Sequence, residues 1–99
     1  MTKQIKKLST KEIEKSMRKV SDWTANAKQT ELQQTFYFPS FLAGLAFVAK
    51  IAVHAEVSQH HPVIELSYEK VKVKLATHDC KGLTINDFKL AERIDGILQ

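Results

Sequence analysis

The sequence predicts an α+β fold: a four-stranded antiparallel sheet with three helices on one face, in the order α-β-β-α-β-β-α. Three observations predict it. Two segments, Leu32–Phe38 and Lys70–Thr77, alternate with the period of a strand that has one buried face. Between them lies a stretch, from about Ser40 to Glu56, that is apolar nearly all round a helix. Near either end, Ile13, Met17 and Val20, and then Ile85, Phe88, Ala91, Ile94 and Leu98, recur at helical spacing.

Each element has its own local warrant. Ser9-Thr10-Lys11-Glu12 is a capping-box pattern, so the first helix is expected from about Thr10 to Val20, with Ser21-Asp22 ending it. Trp23 begins a short extended piece. Ala27-Lys28-Gln29-Thr30 is the turn that joins it to the strand in which Leu32, Gln34, Phe36 and Phe38 alternate with Gln33, Thr35 and Tyr37. Pro39 and Ser40 open the second helix. Phe41, Leu42, Leu45, Ala46, Phe47, Val48, Ile51, Ala52 and Val53 leave it no polar side, which predicts a central helix buried on every side. Lys50 interrupts a segment that reads as too short to span a membrane. Gly44 costs this helix roughly 1 kcal/mol and is expected to permit close packing. Val63–Tyr68 and Lys70–Thr77 form a hairpin: Val71, Val73, Leu75 and Thr77 face one way, and Lys70, Lys72, Lys74 and Ala76 the other. The lysines are also expected to blunt an exposed sheet edge. Gly82 turns the chain and Thr84 caps the last helix.

The 99 residues fit one domain, 1–99, with no linker, repeat or low-complexity segment. A chain this short has a marginal core, and self-association would help it. Cys80 is the only cysteine, which excludes an intrachain disulfide, and Met1–Lys7 is not followed by an apolar signal segment. A reducing, cytoplasmic setting is therefore expected. The net charge of +4 is uneven: residues 1–19 carry seven basic and two acidic groups, and the remainder eight basic and nine acidic. The basic segment lacks interleaved aromatics and reads as a solvated helix, so nucleic acid is not expected as a partner.

Chemistry concentrates near the middle. Three of four histidines, His60, His61 and His78, fall within nineteen residues, and His54 sits apart in the apolar helix as a packing residue. Histidine exchanges protons near neutrality, its ordinary pKa being ~6.5. Pro62 holds His61 extended, so His60 and His61 point to opposite sides. A hairpin turning near Tyr68–Lys70 brings His60 or His61 and His78 to one end of the sheet, the geometry for an acid and a base around a small substrate. Each residue also has a plainer reading. Asp87 lies three after Thr84, the capping-box position; Glu56 ends a helix; Tyr68 reads as core; Pro62 starts a strand. A zinc site of His60, His78 and Asp79 or Cys80 is the main chemical competitor, but no paired-cysteine or His-x-x-x-His spacing supports it. A Cys80–His78 nucleophilic pair lacks an oxyanion site. The three glycines are scattered and form no phosphate loop.

The joint spacing says more than its parts. Glu56-x3-His60-His61-Pro62-x5-Tyr68-x9-His78-x8-Asp87 closely resembles the signature of the pterin-4a-carbinolamine dehydratases. Trp23, Phe36-Tyr37-Phe38, the Phe41…Gly44…Phe47 helix and Thr77-His78-Asp79-Cys80-Lys81-Gly82-Leu83 are similar to that family too, from about Trp23 to the C-terminus. The resemblance implies the same fold. It also implies dehydration of a 4a-hydroxytetrahydropterin to quinonoid dihydropterin, with no metal or organic cofactor. By resemblance His60 and His78 hold the acid–base roles and His61 positions the pterin, with acid and base not told apart. Glu56 and Asp87 would orient imidazoles or bond the pterin ring, and Pro62 and Tyr68 would shape the pocket wall. The implied partners are a pterin and further copies of the chain, as dimer or tetramer, with no membrane. Family members also act in animals as a dimerisation cofactor of a homeodomain transcription factor. A protein-binding module with an idle pocket is therefore the alternative.

Overall fold

Residues 6–98 are described by a computed structural model of the chain. The first five residues, Lys3 of the basic segment and most of Met1–Lys7 among them, lie outside the described residues, as does Gln99. The elements are α1 (Thr10–Met17), β1 (Thr24–Ala25), β2 (Leu32–Tyr37), α2 (Phe41–Ser58), β3 (Val63–Leu66), β4 (Lys70–Leu75) and α3 (Ile85–Ile97). The order is the expected one, and the four strands form one antiparallel sheet arranged β1-β2-β4-β3.

Ser9 caps α1 as anticipated. Its hydroxyl accepts from the Glu12 amide at 3.2 Å, and the Glu12 carboxylate accepts from the Ser9 amide at 2.9 Å. These bonds, the backbone one foremost, hold the Glu12 carboxyl below the usual carboxylate range. The α-helix stops at Met17 rather than Val20. Arg18, Lys19 and Val20 donate instead to the carbonyls three residues back, and this tightened turn swings Val20 into the core.

The sheet has one covered and one wet face. Leu32 and Phe36 of β2 align with Leu75 and Val71 of β4, and all four are buried with Val73 beneath the helices. Trp23, Phe36, Phe47 and Phe38 form a chain of tilted rings with centroids 4.8–6.0 Å apart. The lysines 70, 72 and 74 line the open face, but not an edge: β4 is hydrogen-bonded on both sides, and β1 and β3 are the edge strands. The expected strand ends also shorten. The chain turns over Ser67–Glu69, and Thr77 keeps only an isolated bridge to Gly82.

The second helix departs most from expectation. Ser40 caps it, accepting from the Ala43 amide at 3.1 Å. Gly44, Phe47, Ile51 and Ala55 form its one buried stripe. Gly44 permits the close packing expected of it, since a Cβ there would lie 3.1 Å from Leu66 Cδ1 and 3.3 Å from Val71 Cγ2. The opposite face is bare: Phe41, Leu42, Leu45, Val53 and Val57 are exposed. Burial on every side is thus corrected to burial on one, because the sheet and α3 cover a single flank. The helix has 18 residues and is long and apolar enough to cross a membrane by length and composition, so it is not too short as the sequence suggested. Its inner stripe is nonetheless part of the core of the fold.

Candidate active site

The end of α2 builds the first half of the site. Gln59 takes the left-handed conformation, φ 53° and ψ 39°, and its amide donates back to the carbonyls of Ala55 and Glu56. Its side-chain amide also donates to the Glu56 carbonyl at 2.8 Å, and the His60 amide to the Ala55 carbonyl at 3.1 Å. These bonds fix the backbone of His60 as the chain leaves the helix. Gln59 therefore fixes where the chain leaves α2 on its way to His60 and His61.

His60 turns inward and His61 outward. The His60 side chain is 12% exposed, and its Nε2 lies 2.6 Å from Asp87 Oδ1. His61 Nε2 lies 2.7 Å from Glu56 Oε2 in a solvent-exposed pair, 58% and 72% exposed. Such a pair orients a ring but adds little stability. Pro62, half-buried, follows directly and leads into β3.

The start of α3 builds the second half. Asp87 is the third residue of α3 and is completely buried. Its Oδ2 accepts from the Thr84 amide at 2.9 Å and from the Thr77 hydroxyl at 2.7 Å; Thr77 and Thr84 hydroxyls are 2.8 Å apart. Asp87 therefore caps the helix through one carboxylate oxygen and meets the His60 ring through the other. The helix N-terminus favours its negative charge. Thr77 was placed by periodicity on the buried face, and a polar residue there is the signal that could have marked it as part of the site.

His78 follows Thr77 and is exposed. With Thr30, Glu31, Thr77, Lys81 and Gly82 it lines an open cavity of about 330 Å³. The register pairs Val63 with Lys74, so His60 and His61, before β3, and His78, after β4, lie at the same end of the hairpin. Tyr68 does not join them. It is 72% exposed at the β3–β4 turn, at the other end, beside Tyr37, Glu69 and Lys70. It is neither core nor a wall of this site in its own chain. Among the described residues no group of three or more His, Cys, Asp or Glu side chains could hold a metal ion. An imidazole held by a buried carboxylate is an arrangement chemically able to take or give a proton.

The family model for pterin 4 alpha carbinolamine dehydratase matches residues 6–97, so the similarity extends through α1 and not merely from Trp23. A protein of Roseiflexus sp. (strain RS-1), provisionally named pterin-4-alpha-carbinolamine dehydratase, is 42% identical over 92 residues, covering 93% of this chain and 97% of that one. A protein of Nostoc sp. (strain PCC 7120 / SAG 25.82 / UTEX 2576) with the same provisional name is 47% identical over 90 residues, covering 91% and 95%. The crystal structure of a transcriptional coactivator/pterin dehydratase from Brucella melitensis superposes with a TM-score of 0.88 at 30% identity, covering 94% of this chain and 99% of that one. A pterin dehydratase-like protein identified as a RuBisCO assembly factor in the alpha-carboxysome gives 0.66 at 25% identity, covering 77% and 88%.

Proposed function

Since this chain belongs to the pterin 4 alpha carbinolamine dehydratase family, we propose that it converts a 4a-hydroxytetrahydropterin to quinonoid dihydropterin and water, in recycling a pterin cofactor. The reaction needs two proton transfers. A general acid protonates the C4a hydroxyl, which leaves as water as the C4a–O bond breaks. A general base takes the N5 proton, and the electron pair released forms the N5=C4a bond. Atoms and electrons balance without a redox partner, and two proton-transfer groups are enough to carry the step. His60 and His78 are the proposed acid–base pair. His61, oriented by Glu56, would position the pterin, and Pro62 would wall the pocket. Tyr68 is left out of the pocket of its own chain. The observation that carries the reading is the contact of His60 with the fully buried Asp87 at 2.6 Å, an orienting contact that an idle surface histidine would not need. The test is acceleration of dehydration above the spontaneous rate by wild type, and its loss in His60→Ala.

A second reading rests on α2. Its outward apolar face is larger than scattered surface hydrophobics and marks an interaction surface. The occupant we favour is a further copy of this chain, because a 99-residue core is marginal and burying this face would extend it. A homo-oligomer in the cytoplasm, active as a dehydratase, is the combined proposal. A monomeric mass in solution would leave the face to a different protein, in line with the coactivator and assembly roles named for the two solved relatives.

A further inference from the structure

The network behind His60 fixes the direction of its threonine hydrogen bonds, and it reaches beyond the residues of the signature. Thr84 Oγ1 accepts from the Asn86 amide at 3.3 Å and, in the capping box, from the backbone of Asp87. A hydroxyl oxygen accepts two bonds and donates one, so the only role left for this hydroxyl toward Thr77 is that of donor. Thr77 then has its own proton free, and it goes to Asp87 Oδ2 at 2.7 Å. The Thr84 amide donates to the same oxygen at 2.9 Å. Asp87 is thereby a pure acceptor on that side, the behaviour of an ionised carboxylate. Its remaining oxygen, Oδ1, faces His60 Nε2 at 2.6 Å, a distance that requires a proton between them. With Asp87 as the carboxylate, that proton belongs to the imidazole.

From this we infer that Thr77 is a positioning residue for His60: through Asp87 it locks the neutral ring with its proton on Nε2, leaving Nδ1 as the atom that takes a proton from the substrate. The inference rests on the dehydratase reading for what Nδ1 does, but the locked tautomer is a property of the free protein. In the reaction the N5 proton passes to Nδ1, and the resulting imidazolium keeps its Nε2–H on Asp87. His60 is then the base, and the acid that releases water is the other histidine of the pair, His78. The chain Thr84–Thr77–Asp87–His60 needs little reorganisation at the moment of transfer, because the Thr84 hydroxyl already points at Thr77, and the Thr77 hydroxyl and Thr84 amide at the carboxylate.

Thr77→Val keeps the branched shape at the strand end and removes the hydroxyl. Asp87 loses one of its two donors on Oδ2, and the Thr84 hydroxyl loses its acceptor. Two readouts separate positioning from stability. Long-range proton–nitrogen NMR of ring-labelled protein reports which nitrogen of His60 carries the proton, and steady-state kinetics splits kcat from KM. The expected results are a single Nε2–H tautomer in wild type, a mixture of tautomers in T77V, and kcat lowered by about 10-fold with KM unchanged, as for other partners once removed from a reacting group. Thr77→Ser, which restores the hydroxyl, restores both. The inference is overturned if wild-type His60 carries its proton on Nδ1, if T77V keeps both tautomer and kcat, or if T77S is no better than T77V. Should T77V not fold, the wild-type spectrum decides alone. A wild type with the locked tautomer but no dehydratase activity would sink the functional reading and leave the positioning role standing.

Discussion

Replacing Asp87 by Asn tests the site with nearly no change of shape. The three donors on Asp87 are the Thr84 amide and Thr77 hydroxyl on Oδ2 and the His60 ring on Oδ1. An amide offers one acceptor and one donor, so its orientation is forced. Turning the NH2 toward Oδ2 would set it against two buried donors; turning it toward Oδ1 sets it against one, and His60 can answer by moving its proton to Nδ1. The two bonds retained by the amide oxygen change from charge-assisted, roughly 1.5–3 kcal/mol, to neutral, roughly 0.5–1.5 kcal/mol. That is about 1 kcal/mol each and about 2 kcal/mol together, partly offset because a charge is no longer buried. In a domain of this size about 1 kcal/mol moves Tm by roughly 4–8 °C, so D87N should melt no more than about 8–16 °C lower and stay folded at 25 °C. The rate should suffer far more. Neutralising the carboxylate behind a catalytic histidine, which leaves the wrong tautomer, costs on the order of 10,000-fold in serine proteases. A loss of about 100- to 10,000-fold in kcat/KM is expected here, read by thermal melting and by dehydration kinetics on the same preparation. A folded D87N protein as fast as wild type would refute the reasoning.

Other outcomes follow from the fold. Ile51 is fully buried at the centre of α2, and Ile51→Ala should cost about 2–5 kcal/mol in chemical denaturation; a change within error would mean that α2 does not anchor on the sheet as described. Val53 is 62% exposed, so Val53→Lys should leave the stability of a single chain nearly unchanged. The same variant should lower the mass measured by light scattering if copies meet through α2, whereas an unchanged oligomer would place their interface elsewhere. The Glu12 carboxyl lies below its unfolded value, so its contribution is present above the unfolded value and is lost as pH falls through the folded one. Ser9→Ala should return Glu12 toward the ordinary carboxylate range in a carbon-detected NMR titration and remove that acid-side loss of stability; an unshifted Glu12 would deny the cap its role.

Much of this was legible in the sequence, for reasons that particular residues make clear. Alternation in Leu32–Phe38 and Lys70–Thr77 reports a sheet with one wet face because side chains on a strand have no third option. Ser9 with Glu12 and Thr84 with Asp87 announce helix starts because an unpaired amide needs a local acceptor. What stayed hidden is of another kind. Hydropathy records that Leu42, Val53 and Val57 avoid water, but not whether their own chain or another covers them, so α2 was read as buried on every side. Periodicity assigns Lys70, Lys72 and Lys74 a face but not a neighbour, so a central strand was read as an edge. Gln59 in a left-handed conformation leaves no mark in composition, since glycine is the usual occupant and is absent there. Tyr68 shows the limit of a linear motif: the hairpin turns over Ser67–Glu69 and puts that residue at the end opposite the histidines, although the motif spacing groups it with them. Asp87 looked like a choice between a cap and a catalytic partner because a sequence gives a carboxylate one name, whereas a structure gives it two oxygens.

The central claim is that the site dehydrates a pterin carbinolamine through His60. The most direct measurement follows the ultraviolet absorbance of a freshly generated 4a-hydroxytetrahydropterin with buffer alone, with wild type and with His60→Ala. The account predicts a clear acceleration by wild type that falls to near the spontaneous rate in the variant, with both proteins folded. A folded wild type that leaves the spontaneous rate unchanged, or an H60A variant that accelerates it as well as wild type does, would contradict it.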